Sequence, residues 1–124
     1  MNSLFLVMAG GAVGAGLRHL VGRAALAIAG PDWPWATLTV NLVGGLAMGV
    51  LTGVLARATD GEFWRLLLGV GLLGGFTTFS AFSLDAVMMI QRGEVAGMLV
   101  YVALSVVGAI SALAVGLTVA RVIA

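Results

Sequence analysis

The chain has 124 residues, of which 61% are hydrophobic and 9% charged, with a formal net charge of +1. That balance lies far from a soluble domain's and marks an all-α membrane protein, for which no nucleic-acid partner is expected. The absence of cysteine excludes disulfides, thiolate metal sites and thiol redox chemistry, and a lone histidine, His19, cannot build a transition-metal centre.

Uncharged runs cover Met1 to Leu17, Trp33 to Ala56, Leu66 to Leu84 and Val95 to Ala120. Each is near or above the roughly 20 residues that cross a bilayer core, which predicts four spanning helices at about 3–29, 33–56, 63–90 and 95–123 in one integral membrane domain over 1–124. In the first span, "MNSLFLVM" has no basic segment before its apolar run, and Arg18 and Arg23 follow that run, so the helix is read as retained rather than as a cleaved signal. Gly10, Gly14 and Gly22 are spaced by four and eight, and Arg18 falls in register between the last two. Such stripes mark faces where helix backbones approach closely in lipid. Arg18 lies about 16 Å from the Ala29 end of its helix, near mid-bilayer. Two readings of it are open: a functional or assembly role, or capping of the carbonyls of a broken neighbouring helix.

The second span carries Thr37 and Asn41 on the stripe that continues through Gly45, Gly49 and Gly53, with Asn41 about 12 Å inside Trp33. The third contains "GGFTTFSAFS", Gly74 to Ser83. There Gly69, Gly71, Gly74 and Gly75 weaken the helix just where Thr77, Thr78 and Ser80 arrive. Non-helical backbone at this depth is tolerated only where protein or a cavity satisfies its polar groups, so a break is expected to present carbonyls suited to a monovalent cation such as Na⁺. Phe79 and Phe82 follow on one face. They serve either ordinary packing or, with positive ring edges turned into a narrow passage, an anion. Asp85 lies at a depth similar to that of Arg23, and the two are a candidate ion pair. The fourth span repeats the polar spacing with Tyr101 and Ser105, the latter about 15 Å inside Val95, and Gly108, Ala112 and Gly116 form its small-residue stripe. Two polar pairs at matching depth predict a shared polar track.

The acids Asp32, Asp60, Glu62 and Glu94 fall in loops or at helix ends, and no nucleophile with its base and no phosphate-cradling loop is visible, so the chain is not read as an enzyme. Four spans place both termini on one side, with Arg57, Arg65 and Arg121, against Arg23 and Arg92 on the other. So small a bias gives insertion little direction and predicts both orientations, paired as an antiparallel dimer.

"GGFTTFSAFS" in the third helix, "TLTVNLVGG" in the second and "GAGLRHL" in the first resemble the Fluc (CrcB-type) fluoride channels along the whole chain. The resemblance implies an antiparallel, dual-topology homodimer in the cell inner membrane with two pores that let fluoride leave the cytoplasm. It implies Phe79 and Phe82 as the pore-lining rings, Asn41 as the amide donor near them, and Thr37, Ser80, Tyr101 and Ser105 along the polar route. It further implies a structural Na⁺ held by the backbone carbonyls of Gly74 and Thr77 from both subunits, and it matches Arg18 to the family's first-helix arginine, an assembly or electrostatic residue. The pattern departs at Ala109, where some relatives carry another hydroxyl. The rival class is a small proton-coupled multidrug exporter, also four helices in an antiparallel dimer. That chemistry needs a membrane-embedded carboxylate, for which Asp85 is the candidate.

Overall fold

The computed structural model describes residues 2–123. The described residues are helical and contain no strand: α1 (Asn2–Ala29), α2 (Trp35–Leu55), α3 (Gly61–Trp64), a π-helical segment (Arg65–Leu73), α4 (Gly74–Phe76), α5 (Phe79–Gln91) and α6 (Val95–Ile123). Four spans are long and apolar enough to cross a membrane: Ser3–Ala29, Trp35–Leu55, Gly61–Gln91 and Val95–Ile123. The second starts two residues later than expected, because Pro34 precedes it as the N-cap. Gly30 and Gly93 sit at φ 79° and 81° in the connections after α1 and α5, a backbone region that favours glycine.

Glycine stripes set the packing. α2 and α6 run parallel and make the most extensive pairing in the bundle. Gly45, Gly49 and Gly53 of α2 face Ala109, Leu113 and Leu117 of α6 in turn, while Gly108 and Gly116 of α6 face Leu42 and Leu46 of α2. On the other side, Gly10 and Gly14 of α1 receive the π-helical segment and α4, with backbone meeting backbone. With no hydrophobic driving force between helices in lipid, this closeness is what dispersion and packing require. Gly22 departs from its stripe: no heavy atom lies within 4 Å of where its Cβ would stand, and it borders open cavities instead.

The third span is interrupted, but not at its glycines. Gly74 and Gly75 stay helical, whereas Thr77 (φ −84°, ψ 159°) and Thr78 (φ −153°, ψ 122°) are extended. Two adjacent β-branched residues favour extended backbone, and each hydroxyl ends a helix. Thr77 Oγ1 donates to the Leu73 carbonyl at 2.9 Å, and Thr78 Oγ1 accepts from the Ala81 N–H at 3.1 Å. The glycines serve contact: a methyl at Gly75 would stand 2.6 Å from the Gly11 carbonyl oxygen. The break also changes partners. Before it the span packs on α1, and after it α5 leans chiefly on α6. Leu38, Phe82, Met89 and Tyr101 form the buried core at this end, with Trp33, Leu42, Met98 and Val102 packed around them.

Gly75→Val is expected to destabilise the fold by about 1–3 kcal/mol through overpacking against α1. Gly16→Ala, where no atom lies within 4 Å of the added carbon, should be neutral. Unfolding of both variants by denaturant titration in detergent checks this, and equal stability would contradict the packing described.

Candidate functional site

The break creates a polar junction at mid-membrane, and α2 closes it. Asn41 Nδ2 donates to the Thr78 carbonyl at 3.0 Å, while Asn41 Oδ1 accepts from the Thr78 N–H at 2.9 Å. One carboxamide therefore pairs with both backbone groups of Thr78, the second of the two extended residues. A continuous helix would send the Thr78 and Ala81 N–H groups to the carbonyls of Gly74 and Thr77. Here those donors go to Asn41 Oδ1 and Thr78 Oγ1, which leaves both carbonyls without their helical partners. The Gly75 carbonyl, also stranded by the break, accepts from Arg18 Nε at 3.1 Å. Of the two readings open for Arg18, the structure thus shows the capping contact.

Two cavities meet at this junction, since Thr78 lines both. The first, about 320 Å³, is bordered by Arg18, His19, Arg23, Thr37 and Thr78. Arg23 makes no ion pair with Asp85, and the described ion pairs are Arg65–Glu62 and Arg92–Glu94. The candidate pair is thereby corrected: Asp85 instead accepts from the Tyr101 hydroxyl at 3.0 Å. A carboxylate half-buried among apolar helices needs a donor, and Tyr101, 0% exposed, supplies one from the facing helix.

The second cavity, about 300 Å³, holds Asn41, Phe79, Phe82 and Ser105, with Ala109 and Leu113 farther along α6. Phe79 and Phe82 lie 5.5 Å apart between ring centroids, tilted by 51°. Phe82 is 8% exposed and wedged against Tyr101 at 5.2 Å, whereas Phe79 is 77% exposed. Ser105, 6% exposed, has the one buried side-chain oxygen among the described residues with no hydrogen-bond partner. Asn41 Nδ2 carries two hydrogens and gives one to Thr78, so a second donor remains on a residue lining this cavity.

The structure thus brings Asn41, Phe79, Phe82 and Ser105 into one cavity and places Thr37 in the other. Ser80 stands beside the junction, its Oγ 3.3 Å from Thr78 Oγ1. Tyr101 touches Phe82 but spends its hydroxyl on Asp85. From the sequence Thr78 is read only as a hydroxyl at the break, not as a site residue, and Gly44 is not singled out. Thr78 is a typical N-cap residue just before α5, which is a readable signal. Gly44 lies off the glycine stripe and clears room for the Thr77 methyl, which no spacing rule announces.

The chain matches the family described as "CrcB-like protein, Camphor Resistance (CrcB)" over residues 5–117. Among curated relatives, a protein of Sphingopyxis alaskensis is 58% identical over 122 residues, covering 98% of this chain and 97% of the relative. One of Caulobacter vibrioides is 54% identical over 123 residues, covering 98% and 97%. Another, of Novosphingobium aromaticivorans, is 51% identical over 126 residues and covers both chains in full. All three are named fluoride-specific ion channel FluC.

Asn41→Ala strands both the N–H and the carbonyl of Thr78, each costing about 1–3 kcal/mol if left unmet. The expected outcome is a fold weakened at the break, with faster amide exchange at Thr78 and unchanged exchange in α6. Hydrogen-exchange mass spectrometry checks it, and unchanged protection at Thr78 would show that the carboxamide does not hold the junction.

Proposed function

The chain belongs to the CrcB family, and on that premise we propose that it is a fluoride-selective channel, a multi-pass protein of the bacterial inner membrane that lets fluoride leave the cytoplasm passively. The observation that carries the reading is Ser105: a buried hydroxyl with no partner, in one cavity with the Asn41 amide and two phenylalanine rings. A buried polar group left unmet by protein points to something else that meets it. Fluoride is small, strongly hydrated and a strong hydrogen-bond acceptor, so a passage must replace its water with donors. Asn41, Ser80, Ser105 and Thr37 supply them without a fixed positive charge that would trap the ion. Phe79 and Phe82 line one cavity with Asn41 and Ser105, and their ring edges carry the partial positive charge that an anion favours. Arg18, bound to the Gly75 carbonyl at the wall of the first cavity, raises the local anion potential while its position is fixed.

Phe79, largely exposed although it lines the second cavity, leaves that cavity open on one side, which an antiparallel second copy would close to give two pores in a dual-topology homodimer. The Gly74 and Thr77 carbonyls, each deprived of its helical donor, fit a hard monovalent cation. Four such carbonyls from two protomers would hold a structural Na⁺, and a cation bound there would tie the broken helices together. The described residues contain no cluster of acids and histidines that would favour a divalent ion instead. The exporter reading finds no support, because Asp85 is engaged by Tyr101 rather than open to a cationic substrate.

Ser105→Ala and Phe82→Ile should each slow fluoride efflux from proteoliposomes by about tenfold or more, since 1.4 kcal/mol lost at one contact is a factor of ten. Gel filtration in detergent should show both variants assembled like the wild type. Unchanged efflux in both would remove these groups from the path. Replacing Na⁺ by N-methylglucamine during purification should weaken the dimer, and a dimer indifferent to Na⁺ would refute the cation assignment.

A further inference from the structure

The end of the bundle that carries Arg57 and Arg121 holds charge that conduction leaves unused. Parallel α2 and α6 finish side by side, with Arg57 just beyond the first and Arg121 in the last turn of the second. Arg57 Nη2 donates to the main-chain carbonyl of Arg121 at 3.4 Å, which gathers two basic residues at one point. The acids of this end are already engaged: Glu62 accepts from Arg65 at 2.8 and 3.0 Å, and Asp60 accepts from Trp64 Nε1 at 3.1 Å. Arg57 and Arg121 therefore have no carboxylate partner among the described residues.

Cations at helix C-termini answer the helix dipole. That accounts for one charge on each helix, and the contact also brings the Arg57 guanidinium to the main chain of Arg121, so that the two basic residues stand at one corner of the bundle. Two like charges so placed favour a shared anion, and guanidinium groups match the oxygens of a phosphodiester. The depth says which phosphodiester. Phe63 and Trp64 lie at the same end, partly exposed, as aromatic residues do at headgroup level. Val119 and Val115, which precede Arg121 on α6 and so lie deeper in the bilayer, are 45% and 55% exposed and offer apolar surface to an acyl chain.

We propose that Arg57 and Arg121 together bind the headgroup of an anionic phospholipid, with its chains lying along the membrane-facing Val115 and Val119 of α6. In a dual-topology pair each leaflet would carry one such site.

The test uses the purified full-length protein in detergent with mixed phosphatidylglycerol and phosphatidylcholine micelles, and native mass spectrometry to count retained lipid. Phosphatidylglycerol should be retained about tenfold or more over phosphatidylcholine, as expected of two arginines at a lipid surface. Arg57→Gln with Arg121→Gln should abolish the preference, the double lysine variant should keep part of it, and Arg92→Gln at the opposite end should leave it intact. Inorganic phosphate at the same concentration should not displace the lipid. Equal retention of the two lipids, a preference that survives the double glutamine variant, or displacement by free phosphate would each overturn the proposal.

Discussion

One carboxamide decides the shape of the third span. A helix crossing lipid cannot release its backbone without a substitute, because no water stands ready in the bilayer core. Asn41 supplies that substitute to Thr78 as both donor and acceptor. The extended residues Thr77 and Thr78 then persist at mid-membrane, and α5 is free to turn from α1 toward α6. Both cavities, the placement of Phe79 and Phe82, and the stranded carbonyls of Gly74, Gly75 and Thr77 follow from that turn. Arg18 completes the arrangement by taking the Gly75 carbonyl.

The same arrangement separates two kinds of polar group. Carbonyls released before the break are acceptors, suited to a cation or to Arg18. Donors sit on the other side of the junction, on Asn41 and Ser105, among aromatic rings. A protein that passes an anion gains from keeping these two sets apart. Interrupting one helix exposes both kinds of group at once.

Much of this was legible in the sequence. The four spans follow from apolar length, and the glycine rows of α2 and α6 follow from spacing alone, because helix approach in lipid depends on side-chain size. Asn41 and Ser105 were readable as polar residues at matching depth. The position of the break was less so. Glycine weakens an isolated helix, yet Gly71 and Gly75 are held helical by their contact with α1, and the span yields at two threonines that have caps available. Asp85 was misassigned to Arg23 because depth along a helix says nothing about azimuth, and the facing Tyr101 took it instead. The π-helical widening over Arg65–Leu73 had no cue in the sequence.

The central claim is that the cavities joined at Thr78 conduct fluoride passively. The direct measurement is efflux from liposomes reconstituted with the wild-type chain, followed with a fluoride electrode under a potassium gradient. The account predicts fast fluoride release that requires valinomycin to dissipate the charge, is indifferent to an imposed proton gradient, and is absent for chloride. Efflux that depends on the proton gradient, passes chloride equally, or does not exceed that of protein-free liposomes would contradict it.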